Sequence, residues 1–354
     1  MTAAVLPLAR TERRRASGVL LLVVLAVLLV VAIVLSFGIG PLHVPPGDVL
    51  RIVLGRIGLA DMEGVSARDA AVIWNLRIPR ALMGALVGAS LALAGAGLQG
   101  LFGNPLADPG VVGVTHGSAL GAIGAIVLGA TALGEWTVPV SAFVGGLLAT
   151  TLIYLLARPG RGSGTVTLLL VGIAIGAGCS AAIGFFTYRA SEVQLQSLTF
   201  WQMGSLGTAD WADLAAALPV FVLGLAGMLW LATPLDMLAL GERQAQHIGL
   251  DVRRTRALLV VCSSLLVGAA VAFAGIVGFV GLIVPHVVRL LAGPRHRWLL
   301  PLAAVAGALL VVVADTAART LDPPSEIPLG LFTASLGAPF FLWLVMRQRP
   351  GGAR

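Results

Sequence analysis

LVGASLALAG, Leu86 to Gly95, comes back 180 residues later as LVGAAVAFAG, Leu266 to Gly275. Both copies lie inside apolar runs longer than the ~18 residues that read as a membrane span. Their small residues are the kind that let membrane helices pack closely. The rest of the chain agrees. It has 354 residues, 58% hydrophobic, 11% charged, with 45 glycines and a mean hydropathy of +0.98. The expectation is an all-α, polytopic membrane protein whose residues 1–354 form one transmembrane domain.

Working outward from the two copies gives ten spans: 18–38, 81–101, 112–133, 137–157, 165–187, 214–235, 257–276, 279–291, 299–320 and 327–346. The eighth is short and reads as tilted or broken. An even number puts both termini on one side, and arginine bias sets which side. With a cytoplasmic N-terminus, sixteen of 23 basic residues face inward. The outward seven are Arg51, Arg56, Arg68, Arg77, Arg80, Arg189 and Arg319. In this topology LVGASLALAG runs outside to in and LVGAAVAFAG inside to out. That is the pattern of an inverted-topology repeat, common in transporters. Chance similarity between Ala/Gly/Val-rich helices is the competing explanation.

The basic cluster Arg10, Arg13, Arg14 and Arg15 precedes an apolar run from Gly18 to Phe37. The run exceeds a signal-peptide core and lacks a clear A-x-A site after it, so it reads as a retained first span. All basic residues are arginine. A Walker A loop needs lysine, so any ATP used in transport is hydrolysed by another subunit. Cys179 and Cys262 stand alone in apolar runs and form neither a disulfide framework nor a metal set. His43, His116, His247, His286 and His296 are scattered singly, with no HExxH and no nucleophile–base pair. This speaks against an intramembrane enzyme. Mid-membrane charges are scarce, which speaks against an ion-coupled secondary transporter. Asp315 stands at i,i+4 from Arg319, a spacing at which the two can pair.

Three polar segments interrupt the apolar pattern. GERQAQHIGLDVRRTR, Gly241 to Arg256, carries seven residues that are charged or His. Ala245, Ile248 and Leu250 give it a narrow apolar face. Gly249 is placed to end a short helix, and Asp251 to cap the next one. A helix–Gly–helix knob on the cytoplasmic surface is expected; a solvated positive-inside loop is the plainer reading. RIPR, Arg77 to Arg80, stands at the outer end of the second span, and Arg319 ends the ninth on the same face. Their guanidinium groups are suited to carboxylates of a soluble partner or to snorkelling toward lipid phosphates. GNPLADPG, Gly103 to Gly110, is a rigid turn between spans two and three. GFVGLIVPH, Gly278 to His286, is a Gly/Pro-broken segment of the type that lines pathways, with His286 reading as a packing residue.

Taken together, RIPRALMGALVGASLALAGAGLQGLFGNPLADPGVVGV, LGERQAQHIG and GFVGLIVPHVVRLL resemble the FecCD-type permeases, from about Arg77 to Leu344. These are membrane subunits of ABC importers for iron–siderophore complexes, haem and cobalamin. The resemblance implies a bacterial cell-membrane protein, multi-pass with both termini cytoplasmic. It implies two ABC ATPase subunits, an extracytoplasmic substrate-binding protein, and a second permease copy or paralogue as partners, and no nucleic acid. It implies no cofactor on this chain, with ATP and Mg used by the ATPase. Within residues 236–256, it makes Leu240, Gly241, Glu242, Arg243, Ala245, His247 and Gly249 the ATPase-coupling segment. It makes Arg77, Arg80 and Arg319 the docking residues for glutamates of the binding protein. Thr165 falls at the family's cytoplasmic gate, although the neighbouring Val166 is less polar than in some relatives. SLTFWQMGSL (Ser197–Leu206), GPRHRWLLP (Gly293–Pro301) and ADTAART (Ala314–Thr320) look most like haem-type members, ahead of ferric siderophore and cobalamin. The implied mechanism is ATP-driven alternating access.

Overall fold

In a computed structural model, residues 6–157 and 164–347 are described. They form α-helices α1 (Leu6–Gly38), α2 (Pro46–Arg56), α3 (Ala67–Ala71), α4 (Ile78–Phe102), α5 (Val114–Val127), α6 (Thr137–Ala157), α7 (Gly164–Arg189) and α8 (Glu192–Met203). After these come α9 (Trp211–Trp230), α10 (Ala232–Leu238), α11 (Glu242–His247), α12 (Val252–Ala274), α13 (Val280–Ala292), α14 (His296–Ala318) and α15 (Leu329–Arg347). Seven helical stretches are long and apolar enough to span a bilayer, and α5, α13 and α15 are shorter apolar helices. The ten correspond one for one with the ten expected spans. The eighth, α13, has 13 residues and Pro285 inside it. At 1.5 Å per residue it is about 20 Å long, less than the ~30 Å hydrocarbon core. Arg158, Arg161, Arg349 and Arg354, used in assigning the topology, lie outside the described residues.

The second span is longer than expected. A continuous helix runs Ala67–Phe102, because the six residues Val72–Arg77 form a π-helical stretch that joins α3 to α4. RIPR therefore lies inside a helix, not at its end. Pro79, which has no N–H to give, follows directly on this π-helical stretch, where the regular α ladder is already interrupted.

α4 is the centre of the bundle, with α14, α12, α13 and α9 packed around it. Glycine makes the closest of these contacts. A Cβ on Gly88 would overlap the carbonyl oxygen of Gly307 on α14, and one on Gly307 would overlap that of Gly88. A Cβ on Gly95 would likewise overlap the carbonyl oxygen of Gly281 on α13. Among lipid tails there is no hydrophobic drive between helices, so such backbone-to-backbone packing supplies much of the cohesion. The two copies of the internal echo fall in the two most buried long helices, α4 and α12, which pack on each other. α1, by contrast, has few fully buried residues along its span and rests against α14.

Candidate functional site

One end of the bundle carries the C-terminus of α4 and the N-termini of α12 and α14. Gln99, near the end of α4, accepts from Arg289 Nη1 at 3.0 Å and donates to the Leu282 carbonyl at 3.2 Å. Asp236 on α10 accepts from the backbone N–H of His296 at 2.7 Å and lies 2.9 Å from its Nδ1. His296 opens α14, and the preceding residue, Arg295, provides no side-chain cap. Asp236 thus caps α14 from another helix. Burial acts to raise its carboxyl, but the hydrogen bonds from His296 outweigh this and hold it below the usual range.

The polar segment projects from this end. Gly241, at φ 103°, turns the chain into α11. Gly249, at φ 91°, ends it, with the Leu250 N–H donating to the Ala245 carbonyl at 3.0 Å. Only glycine enters that backbone region without strain. Asp251 caps α12 through Arg254 N–H at 2.9 Å. The helix–Gly–helix knob is therefore formed. Ala245 is fully buried at its centre, while Leu240, Arg243, Gln246, His247 and Ile248 are exposed. Ile248 faces outward and does not join the apolar face expected for it; the turn at Gly249 folds Leu250, not Ile248, back onto Ala245. Glu242 pairs with the buried Arg256 at 2.5 Å, which ties the knob to the first turn of α12. His247 Nδ1 lies 2.7 Å from the Arg243 carbonyl.

Beside the knob's end of the bundle, the loop after α4, the first turn of α5 and α7 border an open hollow of about 450 Å³. Asp108 and His116 line it, opposite Gly172, Gly176 and Ser180. Asp108 accepts from Gly110 N–H at 2.7 Å. Burial pushes its carboxyl up, against the pull of that bond and of His116. Thr165, the expected gate residue, lies in the first turn of α7, and its side chain is outside the described residues.

The other end gathers Arg77, Arg80 and Arg319, but it turns them inward. Arg77 donates to the carbonyls of Phe37, at 2.7 Å, and Leu42. Arg319 donates to the carbonyl of Ser36. Ser36 and Phe37 close α1, so two guanidinium groups, one from the π-helical stretch before α4 and one from the residue that ends α14, serve as its C-terminal cap. Cations there satisfy orphan carbonyls and complement the helix dipole, for about 0.3–2 kcal/mol. Both arginines are about 95% buried, with relative exposures of 5% and 4%. Arg80 is held by two carboxylates. Its Nε and Nη2 lie 2.9–3.1 Å from Asp315, and its Nη1 and Nη2 lie 2.9 Å from Glu326. The expectation that these three present free guanidinium groups outward is therefore not met in this structure. Asp315 takes Arg80 across the helix interface, not Arg319 one turn away. Glu326, absent from the sequence reading, is the exposed member of the cluster. It carried no signal, since a lone acid in a Pro-rich loop looks like any surface charge.

Among the described residues no group of three or more His, Cys, Asp or Glu is placed to hold a metal ion. The architecture is that of an apolar helical bundle with one built polar knob. The FecCD transport family model matches residues 28–347.

The chain belongs to the FecCD transport family.

It is a membrane permease subunit of an ABC transporter and not an enzyme. It is 46% identical over 286 residues to the hemin transport system permease protein HmuU of Yersinia pestis, covering 78% of this chain and 84% of that protein. It is 40% identical over 306 residues to the vitamin B12 import system permease protein BtuC of Salmonella paratyphi A, covering 85% and 91%. A solved metal-chelate type ABC transporter in an inward-facing conformation superposes with a TM-score of 0.81 at 34% identity, over 92% of this chain and 98% of that one. The PsaBC structure from Streptococcus pneumoniae, at 17% identity and a TM-score of 0.55, shares the fold, over 75% and 90%.

Proposed function

We propose that this chain carries haem inward as the permease of an ABC importer, with ferric siderophore and cobalamin complexes as the lesser alternatives. The observation behind this is the higher identity to the hemin permease, 46%, than to the vitamin B12 permease, 40%. In this reading two ATPase subunits grip the α11 knob and supply ATP hydrolysis with Mg. The exposed Leu240, Arg243, His247 and Ile248 are the contacts, while Gly241, Ala245 and Gly249 set the knob's shape and Glu242 anchors it. A second permease copy or a paralogue completes the path, and both termini are cytoplasmic. A substrate-binding protein docks at the opposite end. Arg80 is available to a docking glutamate only by exchange with the exposed Glu326, and Arg77 and Arg319 act by fixing α1.

Uptake into proteoliposomes holding the chain, its ATPase and its binding protein tests the reading. Haem uptake that requires ATP is the expected result. Uptake of ferric siderophore or cobalamin without haem overturns the substrate assignment, and uptake driven by an ion gradient without ATP overturns the coupling.

A further inference from the structure

The hollow between α5 and α7 has a chemical character that the transport reading leaves unused. Its volume, about 450 Å³, lies in the ~300–1,000 Å³ range of small-molecule sites. One wall is formed by Gly172, Ile173, Gly176, Ala177 and Ser180 of α7. Facing it stands His116, exposed, in the first turn of α5. An added Cβ on Gly176 would meet the imidazole at 3.4 Å from Nδ1, with Cε1 and Cγ next nearest. The ring is thus steadied against α7, and Nε2 is not among the atoms nearest that wall. His116 makes no side-chain hydrogen bond with another described residue.

One imidazole selects among iron complexes. It cannot hold a bare metal ion by itself, and no cluster of three ligating side chains is present among the described residues. A hexadentate ferric chelate has no vacant coordination position for it to fill. A porphyrin iron does: four positions are occupied in the ring plane, and the axial ones accept a histidine nitrogen. We infer that His116 is an axial ligand that receives the iron of haem in the α5–α7 hollow during passage. The inference rests on the haem reading above. Binding forms a bond from Nε2 to iron in place of a water or other axial ligand, with no change of oxidation state.

The test is an absorption titration of ferric haem into the full chain with its ATPase, nucleotide-free, in lipid nanodiscs. It compares wild type, His116→Ala and His116→Met, and is repeated with metal-free protoporphyrin. Wild type is expected to shift the Soret band. H116A is expected to lose the shift and weaken haem binding at least about tenfold, while H116M gives a band at a different position. Metal-free protoporphyrin is expected to bind wild type and H116A alike. An unchanged band in H116A overturns the proposal, as does an equal loss of haem and metal-free protoporphyrin, which would mark a role in shape alone. Uptake separates this failure from that of the haem reading. Haem transport by wild type with an unaltered H116A spectrum removes only the ligand assignment, whereas no haem transport by wild type removes both.

Discussion

Replacing Arg80 by Ala tests whether the arginine cluster at the end away from the knob is a structural joint. Asp315 is 6% exposed at its side chain, and the hydrogen bonds that its carboxylate receives at 2.9–3.1 Å come from Arg80. Removing one partner of a buried ion pair leaves an uncompensated charge, which costs about 3–5 kcal/mol. Glu326 is 38% exposed, so solvent screens its share, and Glu326→Ala should cost no more than about 1 kcal/mol. Arg80→Lys keeps the charge but not the planar fork that meets both carboxylates, so it should fall between the two. The double variant Arg80→Ala/Asp315→Ala should recover most of the loss, because no buried carboxylate is then left unpaired. Unfolding of the detergent-purified chain by SDS, followed by tryptophan fluorescence, ranks the four variants by midpoint. If R80A is no less stable than E326A, or if the double variant is worse than R80A by the full cost of a second deletion, the joint does not exist. Arg80 would then be free to bind a partner.

Asp236→Ala removes the cap of α14 and should cost about 1 kcal/mol, read from the same unfolding midpoints. Because Asp236 is held below the usual carboxylate range, its contribution is full above about pH 4 and is lost as pH falls through its folded value. The wild-type midpoint should therefore fall toward that of D236A in acid, with no such convergence between pH 5 and 7. Gly88→Val forces α4 off the Gly307 backbone and should lower stability by about 1–3 kcal/mol in the same unfolding assay, or abolish the folded yield on gel filtration; Gly178→Ala, with open space around it, should be neutral or slightly stabilising by both measurements. Ile248→Asp, at a side chain 53% exposed, should leave stability unchanged yet weaken capture of the ATPase in a pull-down, and Gln246→Pro should break α11 and abolish that capture. Normal assembly and transport by Q246P would remove the knob from the coupling path.

What the sequence made legible follows from the range of the forces involved. The ten apolar helices, the Gly249 stop and the Asp251 cap depend on residues a few positions apart, and all appear where the pattern put them. α2 and α8 were not foreseen, because Pro46–Arg56 and Glu192–Met203 are short helices that gain their stability by packing on the spans. α8 does have a local signal, the Ser191–Gln194 capping box. The arginines misled for a different reason. An i,i+4 spacing offered Asp315 a partner one turn away, worth a few tenths of a kcal/mol, but a buried bidentate partner on another helix outweighs it. That choice depends on α4 lying against α14, and no local pattern encodes it. His116 was visible only as a single histidine until α7 was placed opposite it.

The contact of Gly88 with Gly307 also limits how the protein can change shape. Two helices whose backbones touch have no side-chain layer to shear through, so α4 and α14 must travel together as a keel. Arg80 and Asp315 pin the same two helices at the end away from the knob. Any rearrangement that opens one face of the membrane and closes the other has to take place at seams lined by longer side chains. α7 meets that description, with Val166, Leu170 and Ile173 each more than 60% exposed, as does α15, with Leu331 and Leu336 above 50%. A crosslink between α4 and α14 should therefore leave transport intact, whereas one that ties α7 to α5 should stop it.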